Sequence, residues 1–483
     1  MSNLIRYDEF VQRVRRHRTT DVLEAVAAAS VALTERDCGR PADSPFTTNV
    51  QHWSLAAVAK ATIVAGNEYR ARAVTRLDLE QMCATFISVK DPFSRQPNAP
   101  GAVAAFLVRT AYEQFPSQQS ISEELARTQA LLANTASETV QDVITPDFWL
   151  EVLGCSLTDF VGVGTLLNVG ALNNGGHYDP GWLSKPSFGP VLDCLPRNVI
   201  EPVATRHFLG SREMFRRTAG IHRVDDRDLR RYEFNPLTVH PFVEQPDGRY
   251  IAPSPRYALT RTTPSGLYYI GLEHRGTAFS QALGLVFEEY VGAQLRLLHP
   301  EFVLHDVEYE RGRKTADWIV VLPKAVLIVE VKATPLTAAA RAGTARLAGD
   351  LERTPGRAIE QIDRTAALIK NRHRALVAVP LDRPIVGLIV TLEPYFQCNS
   401  ELVWARPASE TRIVLAASRE LETLVTIADT PVDEFLVDLV TDEELSRWNL
   451  GTAIARHQLG RNPILEEAWD SYPFRDVDPD TAT

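Results

Sequence analysis

The stretch from Lys314 to Ala333, KTADWIVVLPKAVLIVEVKA, constrains the fold more than any other part of the chain. Two apolar runs rich in valine and isoleucine flank the short segment Leu322-Pro323-Lys324-Ala325. Proline fixes φ near −65° and therefore suits the second position of a type I turn. Runs of this composition on either side of a turn are typical of two paired β-strands. We predict a β-hairpin here, and its apolar residues require other elements to cover it.

The position of the turn fixes the register of the hairpin. If the bend is centred between residues 323 and 324, Trp318 pairs with Val329 and Val320 pairs with Leu327. These pairs share one face, because side chains alternate between the two faces of a strand. The sequence therefore predicts one wholly apolar face made for packing.

The opposite face of the same hairpin carries charge. The register places Asp317 directly opposite Glu330, with Cβ atoms ~5 Å apart, and Lys332 on the same side. Two opposed carboxylates repel each other unless a cation neutralises them. Oxygen ligands of this kind suit Mg²⁺ or Mn²⁺. A lysine beside them can orient a water and stabilise negative charge on phosphorus, so the pattern indicates metal-dependent phosphodiester hydrolysis.

Asp317 and the element Glu330-Val331-Lys332 resemble the active-site pattern of the PD-(D/E)XK nuclease superfamily, which has the restriction-endonuclease-like fold. Ala316 precedes Asp317, where the family pattern has proline. The resemblance covers about residues 277–392, roughly a quarter of the chain. There, the predicted order of a helix, a three-strand meander, a helix and a strand matches the family core. It implies an α/β restriction-endonuclease-like core within a larger multidomain protein of bacterial type.

Two flanking helices extend this resemblance. The segment GLVFEEYV, 284–291, resembles the leading helix of the family, whose glutamate faces the metal site. Glu288, which follows phenylalanine, takes that role in preference to Glu289. The segment AIEQIDRT, 358–365, resembles a helix whose glutamine reaches the active site in many members, here Gln361. The alternatives are a solvated strand end for the acidic pair and a solvent-facing helix position for Gln361.

The family resemblance also implies a role for each of these side chains. Lys332 positions the nucleophile, and Gln361 supports the attacking water or a phosphate. The expected cofactor is Mg²⁺ or Mn²⁺. The metal ligands that the resemblance implies are Asp317, Glu330, the carbonyl of Val331 and Glu288, the last directly or through water.

With 483 residues the chain is too long for one hydrophobic core, so several domains are expected. Helical periodicity dominates the N-terminal part, and short apolar segments dominate the next. We predict a mainly α-helical N-terminal domain (1–225), a β-rich connector (226–276), the nuclease-like domain (277–397) and an acidic mixed α/β appendage (398–483). Residues 476–483 are expected to fray.

Local patterns give more detailed predictions that the structure can test. Helical spacing of apolar residues predicts helices over 7–14, 76–87 and 357–370. Short apolar runs predict strands over 268–270 and 375–379.

The net charge of −10 hides an uneven distribution. Residues 420–483 contain fifteen acidic and four basic residues, which leaves residues 1–419 at +1. A polyanion-binding surface outside the tail is therefore compatible with the composition. A solvated helix face explains a basic run about equally well. The candidate phosphate-binding residues are Arg313, Lys314, Arg341, Arg346, Arg353, Arg357 and Arg364.

Several classes of protein are disfavoured by the sequence. No apolar run approaches the ~20 residues of a membrane-spanning helix, and the charged start MSNLIRYDEFVQRVRRHR does not resemble a secretory signal. A cytoplasmic protein without a membrane partner is the expectation. The five scattered cysteines indicate reduced thiols. No Walker element occurs, so any DNA translocation would need a separate ATPase partner.

The sequence thus predicts an Mg²⁺-dependent nuclease acting on nucleic acid, with DNA preferred, in restriction, phage defence or repair. The main alternative is a catalytically inactive nuclease-like fold that serves as a nucleic-acid or protein binding module. A hydrolase of another phosphate ester is a third option. Related nucleases often dimerise, so a homo-oligomer is a further expectation, although the sequence indicates no interface.

Overall fold

The computed structural model describes residues 4–38, 46, 48–118, 120–136, 140, 142–447 and 450–475. The predicted fraying of residues 476–483 lies outside these residues. The α-helices are α1 (Tyr7–Val14), α2 (Thr19–Asp37), α3 (His52–Ala65), α4 (Arg76–Ile87), α5 (Ala102–Gln114), α6 (Ile121–Gln129), α7 (Pro146–Leu153), α8 (Leu157–Asn173), α9 (Gly189–Cys194), α10 (Arg197–His207), α11 (Arg212–Ile221), α12 (Arg256–Arg261), α13 (Pro264–Arg296), α14 (Ala338–Arg341), α15 (Arg346–Leu351), α16 (Arg357–Lys370), α17 (Ser418–Leu424), α18 (Val432–Thr441), α19 (Leu450–Ile454) and α20 (Pro463–Asp470).

Shorter helical turns link many of these helices. The 3₁₀ turns are Pro92–Ser94, Phe115–Gln118, Pro180–Ser184, Pro186–Phe188, Arg227–Tyr232, Pro236–Thr238, Arg374–Leu376 and Leu445–Arg447, and the π-helical turns are Ala130–Thr135 and Glu352–Gly356. The predicted helices over 7–14, 76–87 and 357–370 are confirmed, with bounds that agree at both ends.

The strands form three sheets. They are β1 (His177–Tyr178), β2 (Leu209–Gly210), β3 (Phe242–Glu244), β4 (Tyr250–Ile251), β5 (Phe302–His305), β6 (Glu308–Glu310), β7 (Arg313–Lys314), β8 (Trp318–Val321), β9 (Val326–Lys332), β10 (Ile385–Thr391) and β11 (Arg412–Ala417). The largest sheet has the order β11-β10-β9-β8-β5. Its strands β5, β8 and β9 are antiparallel, whereas β9, β10 and β11 are parallel. The predicted mixed α/β class is confirmed.

The predicted hairpin is strands β8 and β9. The turn is closed by a hydrogen bond from the Leu322 amide to the Ala325 carbonyl at 2.9 Å. Trp318 pairs with Val329, and Val320 pairs with Leu327, as the position of the turn requires. The register deduced from the proline turn is therefore correct.

Helices cover both faces of this sheet, because strand alternation gives each face its own apolar set. Trp318, Val320, Leu327 and Val329 pack in one core with α13 and with the C-terminal helices α17 and α18. Ile319, Val321 and Ile328 pack in a second core with α14, α15 and α16. The charged residues of the hairpin belong by alternation to the face that α16 covers.

Two predicted strands are wrong. Residues 268–270 lie inside α13, where tertiary packing buries Tyr268 and Ile270 in a helix. Residues 375–379 form the end of a 3₁₀ turn and an irregular segment. Both runs are three to five residues long, and an apolar run of that length fits a buried helix as well as a strand.

The small sheet has the order β1-β4-β3-β2 and joins distant parts of the chain. A turn at 245–248 connects the antiparallel strands β3 and β4, and the Gln245 amide donates to the Arg249 carbonyl at 2.8 Å. These strands pair with β1 and β2, which come from the predicted N-terminal domain. The domain boundaries remain a prediction.

The segment after residue 397 takes part in the large sheet. Strand β11 pairs with β10 along six residues, from Val386 with Arg412 to Thr391 with Ala417. A buried ion pair between Arg127 of α6 and Glu422 of α17 links the N-terminal helices to this segment. The Tyr290 hydroxyl of α13 donates to Glu422 Oε1 at 2.7 Å.

Within the described residues, no single helix has the length and apolar composition needed to cross a membrane. Helices α7 and α8, which are bent by 42° relative to each other, meet those two criteria only when taken together.

Candidate active site

Three of the predicted side chains meet at one end of the interior strands β8 and β9 of the large sheet. Asp317 immediately precedes β8, and Glu330 and Lys332 lie near the end of β9. The Lys332 ammonium donates to Glu330 Oε1 at 2.5 Å. The pairing of Trp318 with Val329 places Asp317 and Glu330 at the next opposed position of the hairpin. The turn geometry therefore brings together the acidic pair and the lysine.

Asp317 is held by the backbone of the neighbouring strand. Its Oδ2 accepts a hydrogen bond from the Val331 amide at 2.7 Å. Burial raises the pKa of Asp317 to about 8, and the charges of Glu330 and Glu288 add to this effect. A carboxyl of this kind holds a proton at neutral pH unless a positive charge is supplied nearby.

Glu330 contributes a buried oxygen that nothing in the described protein satisfies. The residue is 1% exposed, and its Oε2 atom has no hydrogen-bond partner. Burial raises the pKa of Glu330, and the Lys332 ammonium partly offsets that rise. A buried carboxylate oxygen without a partner is costly, and a cation bound at this point would remove the cost. The donor set thus fits a divalent metal.

Helix α16 brings Gln361 to the same place. The Lys332 ammonium donates to Gln361 Oε1 at 3.3 Å. One turn further along the helix, the Thr365 hydroxyl accepts a hydrogen bond from the Ala316 amide at 2.8 Å. The helix is therefore attached to both arms of the hairpin, and the predicted glutamine is beside the predicted lysine.

Glu288 belongs to α13, on the other side of the sheet, and contacts His305 and Trp318. Its carboxylate is 2.6 Å from His305 Nε2, and its backbone carbonyl accepts from Trp318 Nε1 at 3.1 Å. The charge of Glu288 raises the pKa of both Asp317 and Glu330, which indicates electrostatic proximity to the pair. Of the two candidate glutamates, Glu288 is the nearer to His305. The carboxylate of Glu289 is 3.8 Å from His305 Nδ1, against 2.6 Å between Glu288 and His305 Nε2.

Sequence reasoning missed two residues next to Glu288. His305 stacks on Trp318 with ring centroids 3.9 Å apart. His305 and Asp306 each place a ligand-type atom within 4.8 Å of the other and of Glu288. Asp306 also pairs with Lys314. The structure ends β5 at His305, and the Asp306 amide donates to the Asp317 carbonyl at 2.9 Å, which places both residues level with Asp317.

The predicted basic residues fall into two groups. In the first, the charge already has an acidic partner. The Arg341 guanidinium is turned inward, where it pairs with Glu393 and stacks over Tyr112. This arrangement does not favour the predicted phosphate contact by Arg341. The partners of the exposed members are Asp350 for Arg353, Glu310 for Arg313 and Asp306 for Lys314.

The second group consists of Arg346, Arg357 and Arg364. All three are exposed. Within the described residues, none has a carboxylate oxygen within the 4.0 Å of an ion pair. Their charges are therefore available to a polyanion.

A separate cleft lies away from the candidate active-site side chains. It measures about 790 Å³ and lies between α5, α15 and the segment 403–407. Phe93, Leu347 and Trp404 are among its lining residues, and none of the candidate active-site side chains lines it.

The comparison with known families agrees with this site. The family model of the nuclease-related domain, NERD, matches residues 283–391. The matched segment begins within α13, ends with β10, and includes all the candidate active-site side chains. No curated protein and no solved structure matches the chain. Residues 283–391 are therefore a nuclease-related domain of the PD-(D/E)XK type.

Proposed function

We propose that this protein is a metal-dependent nuclease that hydrolyses phosphodiester bonds of nucleic acid, with DNA as the preferred substrate. The nuclease-related domain supports the reaction class. The observation that carries the proposal is the meeting of Asp317, Glu330 and Lys332, with one buried Glu330 oxygen left without a partner. This arrangement has no evident use in packing, because buried like charges destabilise a sheet.

The metal ligands in this proposal are Asp317 and Glu330, with the Val331 carbonyl and Glu288 completing the protein side. Mg²⁺ or Mn²⁺ is the expected ion, because all of these donors are oxygens. When bound, such an ion stabilises charge on the phosphorus centre and lowers the pKa of a coordinated water. Asp317 and Glu330 would hold it at the end of β8 and β9.

Lys332 has the position of the group that orients the nucleophile. In the described structure its ammonium bridges Glu330 and Gln361. An ammonium held at two points is fixed in direction, and it can then stabilise negative charge that develops during attack. Gln361 restrains this ammonium and offers its amide to the water or a phosphate oxygen.

The direct test is to incubate the purified protein with linear, circular and single-stranded DNA and with RNA, with Mg²⁺, with Mn²⁺ or with EDTA. We expect cleavage of DNA that requires the divalent ion. Cleavage of circular DNA would show endonuclease action. If no polymer is cut in either metal, the proposed function is wrong.

Lys332→Ala supplies the residue-level test. We expect a loss of roughly 10²-fold or more in cleavage rate, the usual size for a group that stabilises transition-state charge. Thermal unfolding must accompany this assay, because the variant leaves the buried Glu330 carboxylate without its ion-pair partner. A cleavage rate equal to that of the unchanged protein would contradict the assignment.

Metal titration separates the nuclease from the inactive binding module. A catalytic site binds Mn²⁺ or Mg²⁺ and loses this binding in Asp317→Asn. An interaction module with the same fold binds nucleic acid without needing either. Hydrolysis of a small phosphodiester in preference to plasmid DNA would favour the third class, a hydrolase of another phosphate ester.

The proposal extends to the core topology, the biological setting and the partners of the protein. The order α13, β5, β8, β9, α16, β10 supports a restriction-endonuclease-like core. Restriction, phage defence or repair in the cytoplasm suits such a nuclease by analogy of fold. A homo-oligomer and a separate ATPase are proposed partners for cutting both strands and for translocation.

A further inference from the structure

We infer that the exposed side of α16 is the surface along which the substrate strand lies, with Arg357 and Arg364 contacting phosphates on either side of the one being cut. The inference rests on the proposed function, because it places the scissile phosphate at Lys332 and Gln361. It adds that the site is built for a polymer rather than for a single phosphodiester.

The spacing along α16 puts these residues in one row. Arg357 precedes Gln361 by four residues, and Arg364 follows it by three. Residues three and four apart share one side of an α-helix, so the three side chains form a stripe. At 1.5 Å per residue, the two arginines are about 10 Å apart along the axis. For a duplex that lies parallel to α16, this separation spans about three base-pair steps, at about 3.4 Å per step along the duplex axis.

The stripe is attached to the active site by measured contacts. Gln361, in its middle, is 3.3 Å from the Lys332 ammonium. Thr365, which directly follows Arg364 in the chain, accepts a hydrogen bond from the Ala316 amide, next to Asp317. A strand whose scissile phosphate reaches Lys332 must therefore run beside the two arginines.

The charges on this stripe are not already neutralised. Arg357 and Arg364 are exposed, and within the described residues neither has a carboxylate within the 4.0 Å of an ion pair. Glu360, an exposed neighbour of both on the helix, is also beyond that distance. Arg353, by contrast, is paired with Asp350. Free guanidinium groups in a row suit phosphate oxygens, to which arginine binds with two parallel hydrogen bonds.

The opposite side of α16 has different partners. Asp363 accepts hydrogen bonds from the Ser409 hydroxyl at 2.8 Å and the Thr411 amide at 3.1 Å. Lys370 is nine residues after Gln361, half a turn around the helix, and its ammonium is 3.6 Å from Glu410. Lys370 is thus an exposed cation on the same helix but away from the stripe, which makes it a matched control.

The test measures binding without cleavage. Fluorescence anisotropy of a labelled DNA duplex of about 20 base pairs is followed in EDTA and in Ca²⁺, at several salt concentrations, with the full chain. For the double variant Arg357→Ala/Arg364→Ala we expect Kd to rise about tenfold. The slope of log K against log salt should fall by about 1.8, because each phosphate contact contributes about 0.9.

The control variant Lys370→Ala should change Kd by less than about twofold and leave the slope as it was. Unchanged binding by the double variant would overturn the inference. An equal loss in Lys370→Ala, or an equal loss of binding to polyglutamate, would also overturn it, because either result describes general charge attraction. Thermal unfolding of each variant verifies that the exposed substitutions leave the fold intact.

The two proposals can fail separately. If the protein cuts nothing but the double variant loses DNA binding as expected, the strand path stands and the nuclease proposal falls. If Lys332→Ala abolishes cleavage while the double variant binds DNA normally, the nuclease stands and the strand path along α16 falls.

Discussion

At the scale of single residues, the candidate site brings together two buried carboxyl groups, Asp317 and Glu330, whose negative charges would repel each other. Asp317 and Glu330 are both withdrawn from water, and both have a raised pKa. Within the described residues, Lys332 is the cation that forms an ion pair with Glu330, and the Val331 amide donates to Asp317. Sites that bind a cation are commonly less stable when empty, because the geometry that serves the ion is unfavourable without it. The stability of this protein should therefore depend on pH and on divalent metal.

The pH dependence has a definite sign. Between about pH 4 and pH 8, folded Asp317 retains a proton that the unfolded chain has released, since its folded pKa is about 8 and its usual value is 3.8. In this window the folded state binds more protons, so the free energy of unfolding falls as pH rises. In EDTA, the Tm of the unchanged protein should fall between pH 6 and pH 8. We expect a smaller fall in Tm for Asp317→Asn, because asparagine carries no titrating proton. At pH 8 the variant should be more stable by about 0.5–2 kcal/mol.

Asp247→Asn is a suitable control for this measurement. Asp247 is exposed, and its hydrogen bond with Arg249 lowers its pKa, so it does not titrate between pH 6 and pH 8. Thermal unfolding monitored by circular dichroism compares the three proteins. Identical pH profiles for Asp317→Asn and the unchanged protein would contradict the assignment of the raised pKa to Asp317.

At the scale of elements, the site depends on how α13 packs against β8. Gly292 of α13 lies against the Trp318 ring so closely that an added Cβ atom would be 2.2 Å from Cζ2. The same tryptophan donates to the Glu288 carbonyl and supports the His305 ring. This one ring therefore fixes the distance between the helix with the predicted glutamate and the strand next to Asp317.

Gly292→Ala should disturb that packing. The added methyl group meets a fully buried ring, so we expect a destabilisation of about 1–3 kcal/mol. Mn²⁺ affinity should also fall, because movement of Trp318 shifts Asp317. Chemical denaturation and metal titration measure the two effects.

The matched control is Gly284→Ala on the same helix. An added Cβ atom there meets nothing within 4 Å. Alanine favours a helix over glycine, so this variant should be more stable by roughly 0.5–1 kcal/mol. Equal behaviour of the two variants would show that contact with Trp318 is not the cause.

The elements that could be predicted are those with a strong local pattern. The hairpin register followed from one proline turn, and α16 followed from regular apolar spacing. The short runs 268–270 and 375–379 were misassigned, because three to five apolar residues do not distinguish the two periodicities. Strand β11 could not be assigned to the large sheet from the sequence. It pairs in parallel with β10 across 20 intervening residues, and such pairing has no turn or spacing signal in the local sequence.

At the scale of the whole molecule, the C-terminal segment is built into the core. Strand β11 forms one edge of the large sheet, and α17 and α18 pack on the face shared with α13. Glu422 of α17 is 3% exposed and bonds to both Arg127 and Tyr290. Its contacts join three separate regions of the chain.

Glu422→Ala should therefore destabilise the entire protein. Arg127 keeps its contact with Glu124 at 2.6 Å but loses its buried partner. Removing one member of a buried pair costs about 3–5 kcal/mol, because the other charge stays buried. Chemical denaturation, followed by tryptophan fluorescence, measures the change in the free energy of unfolding.

Glu466→Ala provides the comparison for an exposed pair. Glu466 is 3.0 Å from Arg461, and the two side chains are 46% and 86% exposed. Such pairs contribute at most about 1 kcal/mol. A cost for Glu422→Ala no larger than this would mean that the C-terminal segment is only loosely attached.

The limits of the sequence are clearest at this scale. Asp317, Glu330 and Lys332 lie within one hairpin, so local register sufficed to bring them together. His305 and Asp306 approach Glu288 only through tertiary packing, and their part in the site was not foreseen. The inward position of Arg341 depends on Glu393, 52 residues away, which no local pattern indicates.

The tight bend at residues 322–325 also determines which changes in length the hairpin can accept. Adding or removing one residue there would turn every following side chain of β9 to the opposite face. Glu330 would then enter the apolar layer beside Trp318, and Val329 would take the place of Glu330 on the face that carries Asp317. A relative of this domain that keeps the acidic pair should therefore keep the number of residues in this bend.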